Sequence, residues 1–176
     1  MNFLFFSLSS GLAIGIGIIV AQFFGAGDER NVRSTIANSI YVLAGASILV
    51  SVIGILFCPA ILRLLQTPDT IIGDSIIYMR TTCAGTIFVA AYNGVAAMLR
   101  ALGDSKTPLY FLIVSSIINV VLDLAFVLGL DIGVMGVALA TIIAQAVSAI
   151  TCIIYAYKKI EYFRLTREQM QVNVQI

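Results

Sequence analysis

The sequence contains no histidine and no tryptophan, and only 11% of its 176 residues are charged. Without histidine, imidazole catalysis and histidine metal sites are excluded. The three cysteines, Cys58, Cys83 and Cys152, are far apart and lack CxxC spacing, which is typical of small buried apolar residues. The net charge of +1, without a basic stripe, argues against a nucleic-acid partner.

Sequence motifs of enzymes are absent as well. The chain has no phosphate-binding glycine loop, no GxGxxG after a strand, no Ser/His/Asp set and no cluster of metal ligands. The sequence therefore predicts a protein that is not an enzyme and that holds no resident cofactor.

Apolar sequence is what the chain has in abundance, with 60% hydrophobic residues and a mean hydropathy of +1.05. Five apolar runs exceed the roughly 20 residues that span a hydrocarbon core of about 30 Å. They predict helices over residues 3–24, 36–65, 71–102, 109–130 and 134–157. We therefore expect an all-α integral membrane protein, a five-helix transmembrane bundle over residues 1–157 in the plasma membrane, followed by a polar tail over residues 158–176.

The basic residues set the expected orientation. Only Arg63 and Arg80 fall on one side of the predicted bundle. The other eight share the opposite side: Arg30, Arg33, Arg100, Lys106, Lys158, Lys159, Arg164 and Arg167. The positive-inside rule then makes the C-terminus cytoplasmic and places Met1 outside. No basic residue precedes the first apolar run, so we expect a retained membrane helix there and one further helix upstream.

Asp123 is an acid inside the apolar run 109–130, and Asn119 lies one helical turn before it on the same face. An ionisable group inside lipid is costly, and by default it marks a substrate or ion pathway. We expect the Asn119 amide to donate a hydrogen bond to the Asp123 carboxylate and hold its rotamer.

Two other predicted helices carry polar stripes. Thr141, Gln145 and Ser148 align in the fifth helix. In the third, the aligned residues are Tyr78, Thr82, Thr86 and Asn93. Such faces turn toward other helices or a cavity, although serine and threonine hydroxyls alone usually bond within or between helices. Small-residue stripes predict close helix approach at Ser7, Gly11 and Gly15, and at Gly136, Ala140, Ala144 and Ser148.

Five pieces, in this order and spacing, resemble the MATE (multidrug and toxic compound extrusion) family over most of the chain. They are AQFFGAGD at 21–28, YNG at 92–94, LRALGDSKTP at 99–108, NVVLD at 119–123 and GVMGVALAT at 133–141. The resemblance implies about twelve helices in two six-helix lobes, and these five look like helices two to six of the first lobe. The first helix and the second lobe would then be partners that this sequence lacks.

The resemblance also implies a function, the export of small, often cationic, organic compounds driven by inward H⁺ or Na⁺. One branch of the family has a cation site formed by an acid on helix one, an Asn and an Asp on helix five and a Thr on helix six. Asn119, Asp123 and Thr141 fall on the last three positions, as ligands of H⁺ or Na⁺. The expected cavity-lining residues are Tyr78, Thr86, Asn93 and Gln145.

Two alternatives remain at this point. A lipid-linked polysaccharide flippase of the same superfamily would require a basic cavity for pyrophosphate, whereas the basic residues here lie mostly in loops. The other alternative is a membrane remnant that does not transport.

Overall fold

The computed structural model describes residues 2–130 and 132–163, and of residues 2–6, 8 and 9 it describes the backbone alone. The helices are α1 Asn2–Gly25, α2 Glu29–Leu64, α3 Asp69–Ala84, α4 Thr86–Ala101, α5 Lys106–Leu124 and α6 Val134–Lys159. A π-helical turn, Ala125–Gly129, continues α5, and a 3₁₀ turn, Glu161–Phe163, follows α6. The described residues include no strand, which confirms the predicted all-α class.

Four helical segments of the described chain are long and apolar enough to cross a membrane. They are Glu29–Leu64, Asp69–Ala101, Lys106–Gly129 and Val134–Lys159. In the first helix, Ser10–Gly25 is a shorter apolar stretch. These spans agree with the predicted multi-pass membrane bundle.

Two predicted helices have different limits in the structure. α2 begins at Glu29 rather than near residue 36, because the Asp28 carboxylate caps it and accepts hydrogen bonds from Asn31 N at 3.1 Å and Asn31 Nδ2 at 2.7 Å. The helix predicted over 71–102 is divided at Gly85 into α3 and α4. A Cβ at Gly85 would lie 2.6 Å from Ile142 Cγ1, so the glycine allows α6 to approach the junction closely.

The helices form an open arc around α4, which packs against α1 and α2 on one side and against α6 on the other. α6 in turn packs against α5 and α3. Among the described residues, α1 makes no close backbone contact with α5 or α6. In the contact order α1–α4–α6–α5, the end helices α1 and α5 do not meet, and we call the gap between them the concave side, with α4 and α6 as its floor.

Serine hydroxyls fix the register of the antiparallel pair α5 and α6. Ser115 Oγ donates to the Ala144 carbonyl at 2.8 Å, and Ser148 Oγ donates to the Phe111 carbonyl at 3.4 Å. All four residues of the small stripe on α6 are buried, which confirms the predicted close approach. On α1, Gly11 and Gly15 are exposed and a Cβ would meet nothing within 4 Å, so the approach predicted there is not made within the described chain.

Asp104 ties the turn between α4 and α5 to α6. Its carboxylate accepts from Thr107 N at 3.0 Å and from Tyr155 Oη at 3.2 Å. Burial alone would raise the pKa of Asp104, but the bonds from Thr107 and Tyr155 outweigh it and leave that pKa below its usual value. The turn is thereby held by a carboxylate that stays charged.

The predicted tail, residues 158–176, does not begin as a free polar segment. α6 continues through Lys159, and the 3₁₀ turn then folds back on the bundle. Glu161 forms an ion pair with Arg33 at 3.1 Å, and the Arg33 guanidinium lies 5.7 Å from the centre of the Tyr162 ring. Phe163 packs against two clusters of buried apolar residues. Residues 164–176 lie outside the described chain.

Candidate functional site

Asn119 and Asp123 lie on the half-buried face of α5, together with Ile118 and Leu122, while Val120 and Val121 are exposed. Each step of four residues turns about 40° around α5, so Asn119 and Asp123 lie about 40° and 80° around the helix from Ser115, which faces α6. Asp123 is also the penultimate residue of α5, directly before the π-helical turn. Such turns are frequent at functional sites.

Thr141 and Gln145 lie on α6. Around the circumference of α6, both residues lie between Ala144 and Ile142. Ala144 contacts α5 through Ser115, and Ile142 contacts the α3–α4 junction. Thr141 Oγ1 donates to the Val137 carbonyl at 3.0 Å, so its oxygen lone pairs remain available to a ligand. The serine bonds place Asn119 level with Ala140, so the Asn119 and Thr141 side chains are at nearly the same depth.

α4 contributes Asn93 to the floor of the concave side. Its neighbour Tyr92 packs with the α6 cluster, whereas Ala97 contacts Gly17 of α1 at 3.4 Å. Asn93 lies between these two directions and therefore faces the gap that α1 and α6 leave open. Thr86 lies on the same face, but its hydroxyl donates to the Thr82 carbonyl at 3.4 Å, which is the ordinary structural role of a threonine in a membrane helix.

Four buried side-chain polar atoms of the described chain have no hydrogen-bond partner. Three of them belong to residues of the predicted site: Asn93 Nδ2, Asn119 Nδ2 and Asp123 Oδ1. The fourth, Thr35 Oγ1, is on α2. The expected bond from Asn119 to Asp123 is therefore not formed. An unpaired buried polar atom costs about 1–3 kcal/mol, so three around one groove call for a functional explanation.

The donor set suits a monovalent ion better than a multivalent one. Asp123 supplies one negative charge, and the Asn and Thr side chains add neutral oxygens. No group of three or more His, Cys, Asp or Glu side chains that could hold a metal ion occurs in the part of the chain that the structure describes. One carboxylate is neutralised by one H⁺ or one Na⁺, which is the chemistry that an exchange site requires.

Tyr78 lies elsewhere, in a separate cavity with Asp74 of α3 and Val134 of α6. The structure thus leaves polar atoms of Asn93, Asn119 and Asp123 unpaired, and it places Tyr78 in a cavity that Thr141 and Gln145 do not line. Asp74 was not among the predicted residues, although it stands one helical turn before Tyr78 on the same face. That spacing is the signal that would have identified it.

The sequence model of the MatE family matches residues 1–125. The probable multidrug resistance protein YoeA of Bacillus subtilis (strain 168) is 29% identical over 181 residues, which cover 99% of this chain and 39% of YoeA. YpnP, another probable multidrug resistance protein of the same organism, is 34% identical over 140 residues, covering 80% of this chain and 32% of YpnP.

A solved structure gives the same fold. The crystal structure of MATE in complex with MaL6 superposes with a TM-score of 0.90 at 22% identity, covering 97% of this chain and 38% of that chain. The chain thus spans less than two fifths of that transporter and about the same share of the relatives named above.

Proposed function

The chain belongs to the MatE family, and from that premise we propose that it forms the ion-coupling part of a secondary transporter that exports small, often cationic, organic compounds against H⁺ or Na⁺. Curated relatives named as probable multidrug resistance proteins support the substrate class. The observation that carries the proposal is the set of three unpaired buried polar atoms on Asn93, Asn119 and Asp123. On this account the bundle lies in the plasma membrane with its C-terminus in the cytoplasm.

Asp123 carries the charge that couples the two fluxes. The coupling ion binds its carboxylate, with oxygens of Asn119 and Thr141 completing the site from α5 and α6. A cationic substrate near the same carboxylate competes with that ion for one negative charge. Binding of either cation disfavours binding of the other, and this mutual exclusion is the basis of exchange. Asn93 and Gln145 line the groove beside the site and contact the substrate.

The rest of a protein as long as YoeA would close the groove. The concave side between α1 and α5 is open in this chain, and α5 is mostly exposed. Helices outside this sequence would cover it and supply the second half of an alternating-access pathway, in which one helical bundle rocks against another. On this proposal, transport is an activity of a longer protein that contains these helices, and Asp123, Asn119 and Thr141 supply the part of the ion site that lies on α5 and α6.

Proteoliposomes test the proposal. They contain a protein about as long as YoeA that includes this chain, which we call the longer protein. A cationic dye is loaded into the vesicles, so that its concentration gradient points outward. An inward H⁺ or Na⁺ gradient is then applied. We expect one of the two gradients to accelerate dye exit, and collapse of that gradient with an ionophore to abolish the acceleration. Dye exit that responds to neither gradient would rule out secondary antiport.

A further inference from the structure

A second cavity, of about 420 Å³, lies between α2, α3 and the start of α6. Its wall includes Leu62, Asp74, Ser75, Tyr78, Met79 and Val134. The volume falls in the range of about 300–1,000 Å³ that is usual for small-molecule sites. It lies at the end of the bundle opposite Arg33, Asp104 and the 3₁₀ turn.

Asp74 gives this cavity an unneutralised negative charge. Its carboxylate accepts no hydrogen bond and forms no ion pair with any residue in the described ranges. Surface carboxylates without a partner are common, so the charge alone would mean little. Asp74 is itself exposed, but it lines a cavity whose other lining residues are mostly apolar.

Tyr78 and Met79 give the same cavity a surface that suits the body of an organic cation. Tyr78 is one helical turn from Asp74, and the face of an aromatic ring attracts cations through its quadrupole. Met79 and Leu62 are only 4% and 9% exposed and form a dry apolar floor. Thioether and branched aliphatic side chains adapt to ligands of varied shape.

The position of the cavity connects it with the groove that holds Asp123. Val134 lines the cavity, and Thr141 lies seven residues later on the same face of α6. Seven residues of α-helix rise about 10 Å, or two turns. A ligand in the cavity is therefore two helical turns along α6 from the Asn119–Thr141 level.

We propose that this cavity binds a lipophilic organic monocation, with Asp74 as its counter-charge and the Tyr78 ring as an aromatic platform. The proposal rests on the proposed function, since it gives the exported compound a binding station separate from Asp123. An inorganic ion does not fit as well, because one carboxylate and one ring cannot replace its shell of oxygen ligands.

Equilibrium dialysis of the purified 176-residue chain in detergent micelles tests the proposal with tetraphenylphosphonium as the probe. Tetraphenylborate, which has the same shape and the opposite charge, reports binding that is apolar only. Asp74→Asn should weaken tetraphenylphosphonium binding by about fivefold, the upper end of what a charge pair at an exposed carboxylate contributes. Asp69→Asn, which removes an exposed carboxylate of the same helix outside the cavity, should change it by less than about twofold.

The aromatic contribution has its own pair of variants. Tyr78→Phe keeps the ring and should bind as the parent does, whereas Tyr78→Leu should weaken binding by roughly fivefold. Circular dichroism and a single peak in size-exclusion chromatography establish that each variant is folded.

Three results would overturn the proposal. The first is that tetraphenylphosphonium does not bind the parent chain above the micelle background. The second is that Asp74→Asn and Asp69→Asn bind it equally well. The third is that the parent chain binds tetraphenylborate with the same affinity as tetraphenylphosphonium. Asp123→Asn separates this inference from the proposed function. Weakened binding in Asp123→Asn with unchanged binding in Asp74→Asn would disprove the second cavity while leaving the coupling site intact.

Discussion

Asp123→Asn is expected to reduce gradient-driven efflux by the longer protein by about tenfold or more, the equivalent of losing at least 1.4 kcal/mol of coupling. The substitution is nearly isosteric and removes the negative charge for which the coupling ion and the substrate compete. Efflux is measured as the exit of a cationic dye from proteoliposomes with and without the driving ion gradient.

Asp69→Asn is the matched control for that experiment, since it removes an exposed carboxylate at the first turn of α3. It should retain gradient-driven efflux near the level of the parent protein. If Asp123→Asn retains the same acceleration by the gradient at equal protein content, then Asp123 has no part in coupling.

Gly136→Leu is expected to have the largest effect on stability among substitutions in the α5–α6 contact. A Cβ at Gly136 would lie 2.9 Å from Phe126 Cβ and 3.5 Å from the Phe126 backbone carbon. The obstacle is close to main chain, so α6 and the π-helical turn must move apart. Overpacking of this kind costs about 3 kcal/mol, which lowers Tm by roughly 5–10 °C for a chain of this size.

Gly15→Leu is the counterpart on α1, where a Cβ would meet nothing within 4 Å. Both substitutions replace glycine by the same helix-favouring residue, so their difference isolates the packing. Thermal unfolding in detergent, followed by circular dichroism, gives the two values of Tm. Equal values would show that α5 and α6 do not meet as closely as Gly136 and Phe126 indicate.

The fold class was predictable because a membrane-spanning helix can be recognised from the length and the composition of its apolar run. Runs of apolar residues predicted five helices in the order found along the chain, one of which the structure divides in two, and the family resemblance implied their arrangement. Local features were harder to predict. The division at Gly85 depends on the close approach of Ile142 from a distant helix, and the start of α2 depends on the Asp28 cap, which extends a polar helical turn beyond the apolar run.

The members of the candidate site stay a prediction from the sequence, and the structure adds details that the sequence does not contain. A single acid in an apolar run stands out, and helical spacing ties Asn119 to Asp123. The missing bond between them could not be foreseen, because it depends on side-chain rotamers within the groove. Asp74 was not selected because its sequence position is that of an ordinary acid near the start of a helix. Its place in a cavity is visible only in the structure, where Leu62 and Val134 line the same cavity.

The central claim is that one charge, on Asp123, serves the coupling ion and the organic cation in turn. The most direct measurement counts the ions released when an organic cation binds to the purified longer protein, with a pH indicator for H⁺ and an ion-selective electrode for Na⁺. We expect the release of about one H⁺ or Na⁺ for each cation bound, and no release from Asp123→Asn. Cation binding without release, or equal release from Asp123→Asn, would contradict it.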